Sequence, residues 1–227
     1  MCIRDRDQTL PQAYSADDLS GKAVCKQKLQ EELGLQTAPD TAIVAMVTRL
    51  DTQKGVELVL GSWEKILSRN LQLVILGTGN PDYERRLAEA ADFYPGQAKV
   101  LLRFDDAQSR RIYAGSDLFL MPSRYEPCGL GQLIALRYGC IPLVHATGGL
   151  ADTIIDPRIA PETANGFVFE KYQYASLLQG LDRALEAYSE PPLWQKIRHQ
   201  GMTQDMSWTQ AAEQYLDLYR LCKKGLQ

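Results

Sequence analysis

Histidine is scarce in this 227-residue chain. Two residues, His145 and His199, leave no material for a histidine-rich metal centre and little for a Ser-His-Asp triad. Both read as ordinary, partly buried side chains. The five cysteines (Cys2, Cys25, Cys128, Cys140 and Cys222) are odd in number and widely spaced without a CxxC pair, so neither a disulfide framework nor a zinc site is indicated. Reduced thiols in a cytoplasmic setting fit this pattern. No window is apolar enough for a membrane span, and the opening MCIRDR has no apolar stretch that would make it a signal peptide. A basic surplus is also missing: 25 Lys and Arg stand against 28 Asp and Glu, a net charge of -3, which argues against a nucleic-acid partner. No GxxxxGK[ST] phosphate loop occurs, and LGTGNPD (76–82) has Asp82 where a dinucleotide fingerprint needs its third glycine. The one DxD pair, Asp5 and Asp7, lies in the leading residues, so metal independence is expected.

What the chain does have is alternation. TAIVAMVTRL (41–50) is a continuous β-branched and apolar run, as expected of a strand covered on both faces. Similar runs recur at LQLVILG (71–77), KVLLRF (99–104), DLFLMPS (117–123), IPLVHAT (141–147) and GFVF (166–169). Between them, residues 56–68, 82–94, 107–116 and 129–139 read as helices, because their apolar residues recur at spacings of three and four. Parallel neighbours need crossover helices, so the spacing predicts an α/β fold, a Rossmann-like doubly wound parallel sheet. After residue 170 the pattern is helical, over 174–188, 192–202 and 207–222, and the aromatic and leucine stripes there read as packing. Residues 1–19 read as a leader and incoming loop whose first residues look foreign. Residues 20–227 read as one domain, with the loop 155–165 as its most linker-like segment.

In such sheets ligands lie beyond the carboxyl ends of the strands, so residues just after strands carry most weight. TRLDTQKG (48–55) sets Arg49 and Lys54 on either side of a short polar loop. Two cations beside helix-start amides suit a phosphate pair without a metal; the plainer reading is a solvated loop with incidental charges. RYEPCGLGQ (124–132) packs more chemistry into one junction. Gly129 and Gly131 let backbone donors approach a ligand, while Glu126 can accept from sugar hydroxyls but would repel phosphate. That combination suits a sugar attached to a phosphate. Taken singly, Glu126 as a helix cap and Cys128 as core filler are also reasonable. Thr147, Gly148 and Gly149, in ATGGLADT (146–153), form either a bend or a set of backbone donors to phosphate. Gly77 serves either a tight turn or a ligand contact.

YSADDLSGKAVCKQKLQEELGL (14–35), VTRLDTQKGVELV (47–59), PSRYEPCGLGQL (122–133), TGGLADTI (147–154) and GFVFE (166–170) together strongly resemble the C-terminal half of bacterial glycogen (starch) synthases. These are retaining glucosyltransferases of the GT-B fold that extend α-1,4-glucan from ADP-glucose. The similarity runs in order through almost the whole chain after the leader. It implies that residues 20–227 are the donor-nucleotide domain and that the N-terminal acceptor domain, with its lysine-glycine-glycine loop, is absent. The implied partners are ADP-glucose or ADP, and an α-glucan reached through that missing domain, with no cofactor, nucleic acid or membrane. The final helix would return to the missing domain, leaving an apolar patch, and the chain alone would transfer nothing.

Residue by residue, the resemblance implies that Arg49 and Lys54 neutralise the diphosphate and that Glu126 binds the donor glucose. Cys128, Gly129 and Leu130 would offer backbone amides to sugar and phosphate, and Phe104 would stack on adenine. Gly131 stands where the family usually has threonine or serine, which removes one hydroxyl donor. Competing readings are a related GT-B transferase using UDP-glucose, a non-catalytic nucleotide-binding module and, more distantly, a dinucleotide oxidoreductase.

Overall fold

Strands that are apolar on both faces are stable only when both faces are covered, and the computed structural model, which describes residues 7–225, shows how this is done. Residues 1–6, Asp5 and the foreign-looking start among them, lie outside the described residues. Six strands form one parallel sheet: β1 (Ala42–Val47), β2 (Leu71–Leu76), β3 (Ala98–Leu101), β4 (Leu118–Met121), β5 (Ile141–His145) and β6 (Phe167–Phe169). Their spatial order is β3-β2-β1-β4-β5-β6, the doubly wound Rossmann arrangement. The order reverses between β1 and β4. The polar loops after these two strands therefore open into the same crevice.

Side chains alternate across the sheet as the pleat requires. Ala42, Val44 and Met46 of β1 join a core with α2 (Val56–Leu67), α3 (Pro81–Asp92) and α7 (Tyr174–Tyr188). Ile43 and Ala45 join a second core, on the other face, with α1 (Ser20–Leu33), α4 (Asp106–Gly115) and α5 (Gly131–Arg137). Two further helices, α8 (Pro191–Thr203) and α9 (Trp208–Gly225), follow α7. α8 packs against α5, α7 and β5. α9 leaves Trp208, Tyr215, Leu216, Tyr219 and Leu221 exposed. No helix among the described residues is long and apolar enough to cross a membrane.

Three local features add to or depart from the sequence reading. The helix α1 shows only a narrow apolar stripe, Cys25, Leu29 and Leu33, because the rest of its buried face carries Lys22, Lys26 and Gln30, one turn apart. Lys22 donates to the carbonyls of Ala114, Ser116 and Tyr138, at the C-terminal ends of α4 and α5, where a cation meets the negative ends of two helix dipoles. Burial, and then the nearby Arg198, lower its pKa to about 8. Second, the TGG bend continues into a short helix, α6 (Gly148–Thr153).

Third, the linker-like loop 155–165 is packed, not loose. Asn165 is buried and bonds to the Ile155 amide, the Thr153 carbonyl and Gln204. Asp156, fully buried, accepts from the Val168 amide on the outer edge of β6, while Arg158 and Arg183 donate to the Val168 carbonyl. The free edge of the sheet is thereby capped rather than left as a template for another strand.

Burial alone would raise the pKa of Asp156, but hydrogen bonds from Arg158 and from the Val168 amide outweigh it and hold the carboxyl below its ordinary 3.8. Between the two values the unfolded chain binds more protons than the folded one, so stability rises with pH there. The contribution of Asp156 is expected in full above pH 3.8 and lost as pH falls through its folded value. Acid unfolding of an Asp156→Asn variant beside the parent checks this: the gap in stability should narrow below that pH. A gap unchanged into strong acid would contradict it.

Candidate functional site

The loop after β1 begins with Thr48 and closes with a single 3-10 turn at Thr52–Lys54, capped when Asp51 accepts from the Lys54 amide. Gly55 ends it at a φ of 75°, and a Cβ there would run into the Pro122 carbonyl at the end of β4. This close approach points Lys54 across the crevice. Its Nζ lies 2.6 Å from Glu126 Oε2 in a pair whose side chains are only 17% and 9% exposed. The Ser123 hydroxyl donates to the same carboxylate oxygen at 3.2 Å. Residues 72 apart in sequence thus meet at one point.

Arg49 stands apart from this pair. Its side chain is 71% exposed, near Asp51 at 3.6 Å and Gln53 at 3.4 Å. It lines a neighbouring cavity of 260 Å³, mostly apolar, together with Thr48, Gly77, Thr78 and Phe104. Phe104 follows β3 and is 92% exposed, so its ring is open to a partner. Gly77 and Gly79 have a structural reason of their own: the loops 48–50 and 77–79 run backbone to backbone, and a Cβ at either glycine would strike the Thr48 or Leu50 carbonyl. The Gly77 amide already donates to the Leu101 carbonyl.

Beyond β4, the segment 126–131 rests on the start of α6. The Gly149 amide donates to the carbonyls of Glu126 and Pro127, at 3.0 and 3.2 Å, so in this state it braces the loop and is not directed at the crevice. A Cβ at Gly148 would meet the Glu126 carbonyl and one at Gly149 the Cys128 carbonyl, which is why two glycines follow Thr147. Cys128 and Leu130 are exposed, and Leu130 and Gly131 open α5. Among the described residues, no protein acceptor is bonded to the amides of Cys128, Gly129, Leu130 or Gly131. A Cβ at Gly131 would lie 3.2 Å from the Phe119 ring and 3.4 Å from Met121 Cε. A threonine or serine there would require the Phe119 ring to give by a few tenths of an ångström.

Sequence reasoning missed three residues of this region. Gln132, fully buried, bonds from its Nε2 to the carbonyls of Cys128 and Gly129 and ties down the glycine turn. Ser123 holds Glu126, as described. His145, at the end of β5 and only 8% exposed, approaches the Ser123 carbonyl with Nδ1 at 2.8 Å. His199, the other histidine, is on the surface near Asp17. Ser123 and Gln132 bond three or four residues away along the chain, where nothing in residue type marks them, and the His145 contact crosses from β5 to the end of β4. Among the described residues no cluster of His, Cys, Asp and Glu could hold a metal ion.

A sheet of this strand order, with charged and glycine-rich loops gathered at its switch crevice, is a Rossmann-like domain, and its likeness to a solved starch synthase makes it one half of a GT-B glycosyltransferase architecture. The chain belongs to the family of glycosyl transferases group 1, whose model matches residues 28–201. It is 52% identical to a glycogen synthase of Syntrophotalea carbinolica over 94% of its own length and 44% of that protein's. Among solved structures, the catalytic domain of starch synthase IV from Arabidopsis thaliana, bound to ADP and acarbose, matches with a TM-score of 0.88 and 36% identity, covering 96% of this chain and 46% of that one. A sucrose-phosphate synthase from Thermosynechococcus elongatus shares the fold at 23% identity and a TM-score of 0.64, over 87% of this chain and 49% of that one. The chain spans about half the length of the relatives it matches.

Proposed function

We propose that this chain is the donor-binding half of a glucosyltransferase that moves glucose from ADP-glucose to the non-reducing end of an α-1,4-glucan with retention, in the cytoplasm and without a metal. The observation that carries this reading is the meeting of Lys54 with Glu126 at the switch crevice, next to the cavity that Phe104 lines. Across the sheet the order is an aromatic-edged cavity beyond β3, cations beyond β1, and a carboxylate and open amides beyond β4. A base, a diphosphate and a sugar follow one another in the same order in a sugar nucleotide. The similarity to glycogen synthases, and to a starch synthase bound to ADP, supports the choice of donor.

In this reading an ammonium has three donors and Glu126 takes one, so Lys54 keeps two for the diphosphate. As the bond between the anomeric carbon and the phosphate oxygen breaks, negative charge grows on the departing ADP and positive charge on the sugar. Lys54, Arg49 and the amides at the start of α5 stabilise the first. Glu126 accepts from the sugar hydroxyls and holds the ring in place. These interactions strengthen as charge develops, so they act on turnover more than on ground-state binding.

Competition binding tests the donor. ADP-glucose should displace bound ADP at concentrations where UDP-glucose does not. A Phe104→Ala variant should bind ADP roughly tenfold more weakly, the size of one lost base-aromatic stack. Equal displacement by the two sugar nucleotides would remove the ADP assignment.

A further inference from the structure

The ladder between β4 and β5 ends at the pairing of Met121 with Val144. Beyond it the His145 carbonyl accepts from the Thr147 amide of its own turn, so the strand ends lack their next backbone tie just where the segment bearing Glu126 begins. A side chain spans that gap. His145, the last residue of β5, reaches the Ser123 carbonyl with Nδ1 at 2.8 Å. A carbonyl oxygen can only accept, so Nδ1 must carry the proton. The imidazole plane is fixed by Phe169, at 5.3 Å between ring centroids, and by the edge-on ring of Tyr172 at 5.4 Å. Tyr172 is itself held by its hydroxyl bond to Glu57 at 2.6 Å.

We infer that His145 is a positioning residue of this site, holding the 123–126 segment so that the Ser123 hydroxyl and the Glu126 carboxylate face Lys54. Ser123 is the joint: its carbonyl is tied to His145, and its hydroxyl donates to Glu126 Oε2 at 3.2 Å. A second tie runs from the Gly149 amide to the Glu126 carbonyl. The first tie comes from the end of β5 and the second from the start of α6, which follows it. The carboxylate is therefore placed from behind by β5 and met from the front by Lys54. A group that must meet a substrate within a fraction of an ångström depends on such supports, because small displacements weaken every contact it makes.

The inference rests on the proposed donor reading only for what Glu126 binds, and the test separates the two. His145→Leu keeps bulk and removes the donor; His145→Asn restores an N–H near the place of Nδ1. Two readouts are compared in the 227-residue chain: hydrogen exchange of the Arg124 and Gly149 amides, which donate to the Gln53 and Glu126 carbonyls, and the ratio of ADP-glucose to ADP affinity by calorimetry. In the leucine variant both amides should exchange about tenfold faster, the effect of losing one hydrogen bond, and the preference for ADP-glucose should fall by about as much while ADP affinity holds. The asparagine variant should restore both. Unchanged exchange in the leucine variant, or an asparagine variant no better than leucine, overturns the role of His145. A parent chain that binds ADP-glucose no better than ADP overturns the sugar role of Glu126 instead, and the exchange comparison still decides the role of His145.

Discussion

Replacing Lys54 with alanine, in a two-domain enzyme that carries this half, is expected to lower turnover by about 10²- to 10³-fold, the usual effect of deleting one donor aimed at developing charge. The melting temperature should move far less. Glu126 would lose its cation, but the carboxylate keeps the Ser123 hydroxyl, and the loops around it keep the Gly149 and Gln53 backbone bonds. Arg49 should behave differently. It is mostly exposed and lies beside the Phe104 cavity, where solvent screens its charge, so Arg49→Ala is expected to lower turnover by much less than Lys54→Ala does. Steady-state kinetics of glucan extension, with thermal melts of the same preparations, check both statements. A Lys54→Ala enzyme with near-parental turnover would remove this lysine from the chemistry.

The largest stability effect is expected at the opposite end of the sheet. Asp117 precedes β4 and is surrounded by donors: Lys26 at 2.8 Å, the Ile43 amide at 3.1 Å and Arg198 at 3.4 Å. All three charged side chains are nearly buried, at 7% exposure for Asp117, 9% for Lys26 and 12% for Arg198. Removing the carboxylate leaves two cations without their counter-charge in a site that water barely reaches. Breaking a buried pair from one side costs about 3–5 kcal/mol. Against a typical domain stability of about 5–15 kcal/mol, that is a large fraction. Urea unfolding of Asp117→Ala should show the loss as a lower midpoint with an unchanged slope. Lys26 would still bond to the Pro39 carbonyl and the Tyr188 hydroxyl, so a loss below about 1 kcal/mol would mean that those neutral acceptors suffice.

The elements most legible in sequence were those buried on both sides. AIVAMV and LQLVIL have no polar face to hide, except Gln72, and their apolar runs could be read directly as central strands. The helix α1 was harder to read for the opposite reason. Half of its buried face is Lys22, Lys26 and Gln30, each satisfied by acceptors from other elements, which leaves only the narrow stripe of Cys25, Leu29 and Leu33 to reveal it. The loop 155–165 misled in a similar way. Proline and small residues suggested a linker, while the bonds made by Asp156 and Asn165, which fix it to β6 and α8, depend on partners distant in sequence.

The same division runs through the candidate site. Arg49, Lys54, Glu126 and the glycine turns stood out because charge and flexible backbone were concentrated just after strands, whereas Phe104 came only with the resemblance to glycogen synthases. Ser123, Gln132 and His145 carried no such mark, since a serine, a glutamine and a histidine are unremarkable until their partners are known.

What the sequence determined by itself was the alternation of strand and helix, and with it the parallel sheet and the junctions where chemistry is concentrated. Those properties are local, set by the period of apolar residues and by the few residue types that turn a chain sharply. Only the tertiary structure decided that Lys54 faces Glu126 rather than standing beside Arg49, that Gly149 braces a loop, and that His145 ties β5 to the end of β4. The reason is physical: such contacts depend on the order in which strands lie side by side, and strand order is fixed by how both faces of the whole sheet are covered.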